Sequence, residues 1–341
     1  MRVAMYYSNK KVRTEKMPVP KIKRGEILME VKASGICGSD VMEWYRAHKV
    51  PLVLGHEVAG RIASVAKGVR KYKVGERIIA AHHVPCMRCH YCRAGHHTVC
   101  DTLRSTNFYP GGFSEFIRLP AINVKYGVFR IPKNVSYEEA TFAEPAGCVL
   151  RGQRLAGTQK GIVFIVGAGV SGMLHLEVAR LHKAKCIVVA DVVEKKLKMA
   201  KRFGADGVIN AAKTKNIPER LKKITGGRLA NVVILCASAK PALRAALGSV
   251  DRGGTVLIFS AAEKNAAMPL SVNDIFWRTE VKILSSYAAG PREHIQALRL
   301  LSEKKINVSG MITHRLPLTE AEKGFKLVAD GRNSLKVIIE P

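Results

Sequence analysis

The sequence predicts an α/β protein in two parts: a strand-rich N-terminal portion and, beyond about residue 160, a doubly wound parallel sheet. Three observations carry this expectation. Over the first 120 residues, short strand-like segments ("EILMEVKASG", "HEVAGRIASV", "GERIIAAHH") are separated by turn signals such as "KGVRKYKVGE", the pattern of half-buried strands in an antiparallel sheet. From residue 160 the rhythm changes. Apolar runs ("GIVFIVGAG", "CIVVAD", "NVVILCAS", "GGTVLIFSAA") alternate with helix-period segments ("VSGMLHLEVARLHKA", "EKKLKMAKRFGA", "PALRAALGSV"). Strands apolar on both faces need covers on both faces, and the interleaved helices supply them. Finally, "EHIQALRLLSEKKI" reads as one more amphipathic helix and "LKVIIEP" as a last strand.

Bulk properties bound the function. The chain of 341 residues with 47% hydrophobic content is long enough for two domains with real cores. No apolar stretch approaches the roughly 18 residues of a membrane helix, and the first twenty residues lack the pattern of a signal peptide, so a cytoplasmic protein without a membrane partner is expected. Lys and Arg number 56 against 27 Asp and Glu, a net charge of +29. Such an excess suits a nucleic-acid partner, yet the basic residues are scattered over "KIKRG", "RKYK", "EKKLKMAKR", "ERLKK" and "SEKK", and aromatics are 6%. A solvated cationic surface is the reading adopted.

"GAGVSG", Gly167 to Gly172, is a G-x-G-x-x-G that follows a strand and opens a helix. Gly167 allows the tight turn, Gly169 and Val170 bring backbone to a pyrophosphate at the helix N-terminus, and Gly172 lets the helix lie close to the sheet. Asp191 ends the next strand, nineteen residues after Gly172, where a carboxylate binds the ribose hydroxyls and repels a 2′-phosphate. NAD is therefore expected rather than NADP, with Lys195 and Lys196 read as exposed helix residues.

Cys86, Cys89, Cys92 and Cys100 follow C-x2-C-x2-C-x7-C. Four thiolates so spaced can close tetrahedrally on Zn²⁺ and leave no open position, which marks a structural site. His90, His96 and His97 are read as solvent-facing loop residues. A second metal is suggested by "GICGSD", with Cys37, and "LGHEVAG", with His56 and Glu57. Zn²⁺ held by one Cys, one His and a carboxylate keeps an open position for an alcohol and lowers its pKa; hydride then passes to a nicotinamide. Neighbours in a strand face opposite ways, so His56 and Glu57 share an ion only if Gly55 permits a break. Glu144, in "FAEPAG", is a rival or additional carboxylate, and the choice stays open. Ser39 is a candidate to pass the alcohol proton to solvent. Asp40 with Glu43 reads as an N-cap and capping-box pair.

Taken in order, "GICGSD", "GHEVAG", the four-cysteine lobe, "GGFSEF", "EPAG" and "GAGVSG" with Asp191 resemble the zinc-dependent medium-chain dehydrogenases over essentially the whole chain. The "HE" plus "EP" combination looks more like the sorbitol, polyol and threonine branch than the ethanol branch. The resemblance implies a GroES-like catalytic domain (1–147, completed by 291–341, with the zinc lobe at 86–100) and a Rossmann NAD-binding domain (148–290), with the active site between them. It implies two Zn²⁺ per subunit, a small-molecule alcohol substrate and a homo-oligomer, tetramer or dimer. It also places Cys37, His56 and Glu57 on catalytic-zinc positions, Glu144 on the polyol branch's acid near the zinc, and Ser39 on the substrate-contacting hydroxyl. One departure stands out: many members carry a histidine five residues after the zinc cysteine, and here that residue is Met42. Either His48 or water then completes the proton relay, or the relay is shorter.

Overall fold

The computed structural model describes every residue except Thr158, Gln159 and Pro269. The chain divides into two compact units, Met1–Gly147 with Ala288–Pro341, and Cys148–Tyr287.

The first unit is built from β1 (Arg2–Ser8), β2 (Lys11–Lys16), β3 (Ile27–Gly35), β4 (Leu52–Val53), β5 (Glu57–Val65), β6 (Arg77–Ala80), β7 (Phe116–Leu119) and β8 (Val128–Arg130). Strands β2, β1 and β4 form a small sheet. A larger one runs β15-β16-β3-β5-β6-β8, with β7 also on β3; its β15 (Ile312–Pro317) and β16 (Lys336–Glu340) come from the C-terminal segment. In β3, Ile27, Met29, Val31 and Ala33 are buried while Leu28, Glu30 and Lys32 are half-buried, the two-residue period the sequence shows. Ile27, Met29 and Val31 pack with Val58, Ile62, Ile78, Ile117 and Leu119. A second cluster joins Val3, Tyr6 and Phe113 to Phe325, Val337 and Ile339. Each such side chain contributes about 1.5–3 kcal/mol on burial, so the last residues of the chain are held as firmly as the first.

The second unit carries a six-stranded sheet that is parallel throughout, in the order β11-β10-β9-β12-β13-β14. Its strands are β9 (Ile162–Val166), β10 (Cys186–Asp191), β11 (Gly207–Asn210), β12 (Ala230–Leu235), β13 (Val250–Ile258) and β14 (Lys282–Ser285). All five residues of β9 are buried, as expected for a strand covered on both faces. The chain steps outward from β9 through β10 to β11, then returns to lay β12 on the other side of β9. That reversal opens a crevice at the C-terminal ends of β9 and β12, where ligands of doubly wound sheets bind. Gly167 turns there with φ +107°, and a Cβ on it would come 3.0 Å from the Cys236 backbone.

No helix among the described residues is long and apolar enough to cross a membrane.

Candidate active site

The ligand atoms of Cys37, His56 and Glu57 lie within 4.8 Å of one another. Cys37 stands two residues past the end of β3, and Glu57 opens β5 opposite Gly35. Gly55, at φ +94°, breaks the chain just before β5, so His56 lies outside the strand and escapes the alternation that would send it away from Glu57.

Asp40 does not cap a helix. The short helix is Glu43–Arg46, its N-cap is Met42 without a side-chain cap bond, and Glu43 accepts instead from the Asn9 amide at 2.8 Å. Asp40 is wholly buried. Its Oδ2 accepts from the Cys37 amide at 3.0 Å, and its Oδ1 stands 3.3 Å from His56 Nδ1 and 3.6 Å from the Arg46 guanidinium. Burial opposes ionisation of Asp40, but His56, Arg46 and the Cys37 amide hold its pKa below the usual carboxylate value. Burial likewise opposes charge on His56, and Asp40 with the Cys37 sulfur outweighs it, so the imidazole pKa stands well above the ordinary histidine value. The negative groups that raise this ring's proton affinity also attract a metal cation, and a carboxylate behind a ligating histidine is the usual support for one. The donor set therefore fits a divalent cation of zinc type: one sulfur, one nitrogen, one carboxylate.

The far side of Glu57 was not foreseen. Its Oε2 pairs with Lys336 Nζ, and both side chains are 1% exposed. Also unforeseen is the pair His82–His83 beyond β6. The His82 ring centroid is 4.7 Å from that of His56 and 3.9 Å from that of His83, while His83 Nδ1 donates to the Thr106 carbonyl at 2.6 Å. Burial, with His56 and His83 as neighbours, keeps His82 well below the ordinary histidine pKa, hence neutral. The doublet in "AAHHVPC" was the available signal. Ser39 is half-buried; its amide donates to Cys37 Sγ at 3.5 Å and its carbonyl accepts from Arg46 Nε at 3.2 Å. Met42 is half-buried and His48 exposed. Glu144 is half-buried in the first turn of helix Ala143–Ala156 and is not one of the three converging residues.

Cys86, Cys89, Cys92 and Cys100 form a second group within the same 4.8 Å limit, and none of the eight cysteines forms a disulfide. The Cys89 amide donates to Cys86 Sγ at 3.3 Å, the Arg88 amide to the same sulfur at 3.5 Å, and the Cys86 amide to Cys100 Sγ at 3.5 Å. Those amides push the Cys86 thiol down to about 6, whereas burial pushes Cys92 up to about 12. Four crowded sulfurs cannot all ionise without a cation, so this donor set too fits a zinc-type ion. His90 and His96 are exposed and His97 half-buried.

In the second unit the helix Val170–Leu181 starts at Gly169, above which a Cβ would meet nothing within 4 Å. A Cβ on Gly172 would overlap the Gly167 carbonyl. The helix N-terminus is thus open for a pyrophosphate and the loop is pressed onto the helix. Asp191 Oδ2 accepts from the Ala168 amide at 2.7 Å and Oδ1 from the Val193 amide at 2.8 Å. Each oxygen keeps lone pairs for ribose hydroxyls. Lys195 is exposed and Lys196 half-buried.

This fold and these donor sets define a dinucleotide-dependent oxidoreductase with zinc-type sites. Comparison with known proteins agrees. Residues 23–133 match the alcohol dehydrogenase GroES-like domain, and residues 171–303 match the zinc-binding dehydrogenase domain. Sorbitol dehydrogenase of Bacillus subtilis is 30% identical over 100% of this chain and 97% of its own. L-threonine 3-dehydrogenase of Rhizobium etli is 30% identical over 96% and 94%. Among solved structures, galactitol-1-phosphate dehydrogenase from Escherichia coli is 25% identical, with a TM-score of 0.86 over 100% of both chains. A Sinorhizobium meliloti zinc-binding dehydrogenase bound to NADP gives 26% and 0.87, covering 100% of this chain and 99% of that one. An Escherichia coli alcohol dehydrogenase complexed with NADH gives 27% and 0.88, with the same coverage. The chain belongs to the zinc-dependent medium-chain dehydrogenase family, and it is an NAD(P)-dependent alcohol oxidoreductase. Nucleic-acid binding, the other reading of the basic surplus, finds no support in these relatives.

Proposed function

We propose that this enzyme oxidises a secondary alcohol of a polyol, cyclitol or amino alcohol to a ketone and passes the hydride to NAD. The observation that carries this reading is the convergence of Cys37, His56 and Glu57 in front of a buried Asp40. Cys37 and His56 would hold a catalytic Zn²⁺ with a carboxylate from Glu57 or Glu144. Cys86, Cys89, Cys92 and Cys100 would hold a structural one, for two ions per subunit. When bound, the catalytic ion supplies a Lewis acid for the alcohol oxygen and the nicotinamide supplies the hydride acceptor.

The chain's own residues set the conditions. Asp40 occupies Nδ1 of His56 and so leaves Nε2 for the metal. Gly167, Gly169, Val170 and Gly172 seat the pyrophosphate, and Asp191 binds the ribose. Its negative charge disfavours a 2′-phosphate and supports NAD over NADP, although one structural neighbour binds NADP. The Ser39 hydroxyl takes the alcohol proton outward. With Met42 in place of a histidine, the route from there runs through water, because His48 is exposed on the surface. The names of the relatives support polyols and threonine as the substrate class. A cytoplasmic location agrees with eight cysteines that form no disulfide, and a homo-oligomer, dimer or tetramer, agrees with the resembled enzymes.

The test is a panel of polyols, cyclitols, threonine and simple alcohols, with NAD and NADP in parallel, followed by nicotinamide absorbance. Turnover of a polyol, cyclitol or amino alcohol with NAD is expected. Preference for a simple primary alcohol, or for NADP, contradicts the assignment.

A further inference from the structure

The segment "EWYRAHKV", residues 43–50, takes no part in the reaction as described, yet it joins the site on two sides. Arg46 Nε donates to the Ser39 carbonyl at 3.2 Å, and the guanidinium stands 3.6 Å from Asp40 Oδ1. Those contacts tie the segment to the loop that carries Cys37. Lys49, three residues on, acts from the other side. Burial lowers the His83 pKa, and the charges of His56, Arg46 and Lys49 lower it further. His83 lies against His82, and His82 against His56, so the Lys49 charge is felt inside the ring cluster that borders the metal ligands.

The makeup of the segment is specific. Trp44 and Tyr45 are 42% and 40% exposed, with ring centroids 5.9 Å apart in an edge-to-face pair. Two cations share the Tyr45 ring: the Arg46 guanidinium carbon lies 4.7 Å from its centroid and Lys49 Nζ 5.3 Å. Their anions are unevenly supplied. Arg46 has Asp40. The segment's one acid, Glu43, accepts from the Asn9 amide at 2.8 Å, and among the described residues Lys49 has no carboxylate partner. What remains is an exposed ammonium, seated on an aromatic ring and facing the site without a counter-ion.

We propose that Lys49, seated on Tyr45 and flanked by Trp44, forms a substrate subsite for an anionic group, phosphate or carboxylate, carried by the alcohol away from its reacting carbon. This rests on reading Cys37, His56 and Glu57 as the metal site, and it narrows the substrate to a charged member of the proposed class. Lys49 offers the anion a point charge and N–H donors. The indole and phenol rings cover the carbon chain between the anion and the reacting alcohol. Arg46, through Ser39 and Asp40, fixes this platform relative to the metal ligands, so an anion held there sets which hydroxyl reaches the ion.

The experiment measures kcat and KM of the holoenzyme on matched pairs with NAD: sorbitol against its terminal phosphate ester, and threonine against the amino alcohol that lacks its carboxylate. In one pair at least, the parent is expected to favour the anionic member about tenfold or more in kcat/KM, and the pair that shows it tells phosphate from carboxylate. Lys49→Gln is expected to lower that preference about tenfold, through KM rather than kcat. Lys49→Arg, which keeps the charge, is expected to hold it within about threefold. A parent that turns over the neutral members and favours neither anionic one overturns the proposal and leaves the metal-site reading standing. A preference that Lys49→Gln leaves intact, or one lost through kcat alone, overturns it as well. A zinc-loaded parent that oxidises no member of either pair would sink the polyol and amino-alcohol reading, and the proposal with it.

Discussion

Asp40 shows how one side chain can read two ways. Its place in "GSDVMEW" suits a helix N-cap, since Asp is a favoured capping residue and Glu43 follows three positions on. The structure buries it completely and points it at His56. Sequence spacing reports only which backbone amides an Asp can reach, and a partner sixteen residues away lies outside that range. Asp40→Asn keeps the shape and removes the charge. It should lower kcat/KM or catalytic-metal affinity about 10- to 100-fold, as steady-state kinetics and zinc titration would show, while the four-cysteine metal stays bound. Unchanged kinetics and affinity would reduce Asp40 to a packing role. Lys336 was harder still to foresee. "LKVIIEP" gives a strand with a lysine at its start, the ordinary look of a solvated strand end. Only the sheet order, which brings β16 to β3, and β3 to β5, reveals that this end is interior.

Elements whose chemistry is local were the most legible. The glycine loop, the helix it opens and Asp191 all lie within 25 residues, and steric demands on Gly172 and Gly167 fix their relation. The cysteine lobe is local as well, because four sulfurs in fifteen positions have few ways to lie apart. Strand β5 falls where "HEVAGRIASV" reads as a strand, and the turn at Gly55 meets the condition for His56 and Glu57 to converge. Cys89→Ser tests the lobe as an element. We expect one zinc fewer, a stability loss of about 4 kcal/mol or more in denaturant unfolding, and an intact Cys37 site in whatever folds. A variant that loses the metal without losing stability would mean that the lobe is not a clip.

At the scale of the whole molecule, the charge of +29 proved uninformative about function. Cations such as Arg61, Arg130, Lys304 and Arg315 pair with acids on the surface, and exposed pairs of this kind contribute about 0–1 kcal/mol each. What organises the chain is its route: strands from both termini build one unit around the converging donors, and the segment between them builds the other. The family follows from that route and from the motifs along it; the particular alcohol does not, because no spacing in the sequence encodes a hydroxyl pattern. The account depends above all on a second metal held at Cys37. Its most direct test is elemental analysis of purified parent and Cys37→Ser protein, each assayed for alcohol-dependent NAD reduction. Two zinc ions per chain in the parent, one in the variant, and turnover in the parent alone are the predicted result. A variant that keeps both ions, or that still turns over, would contradict it.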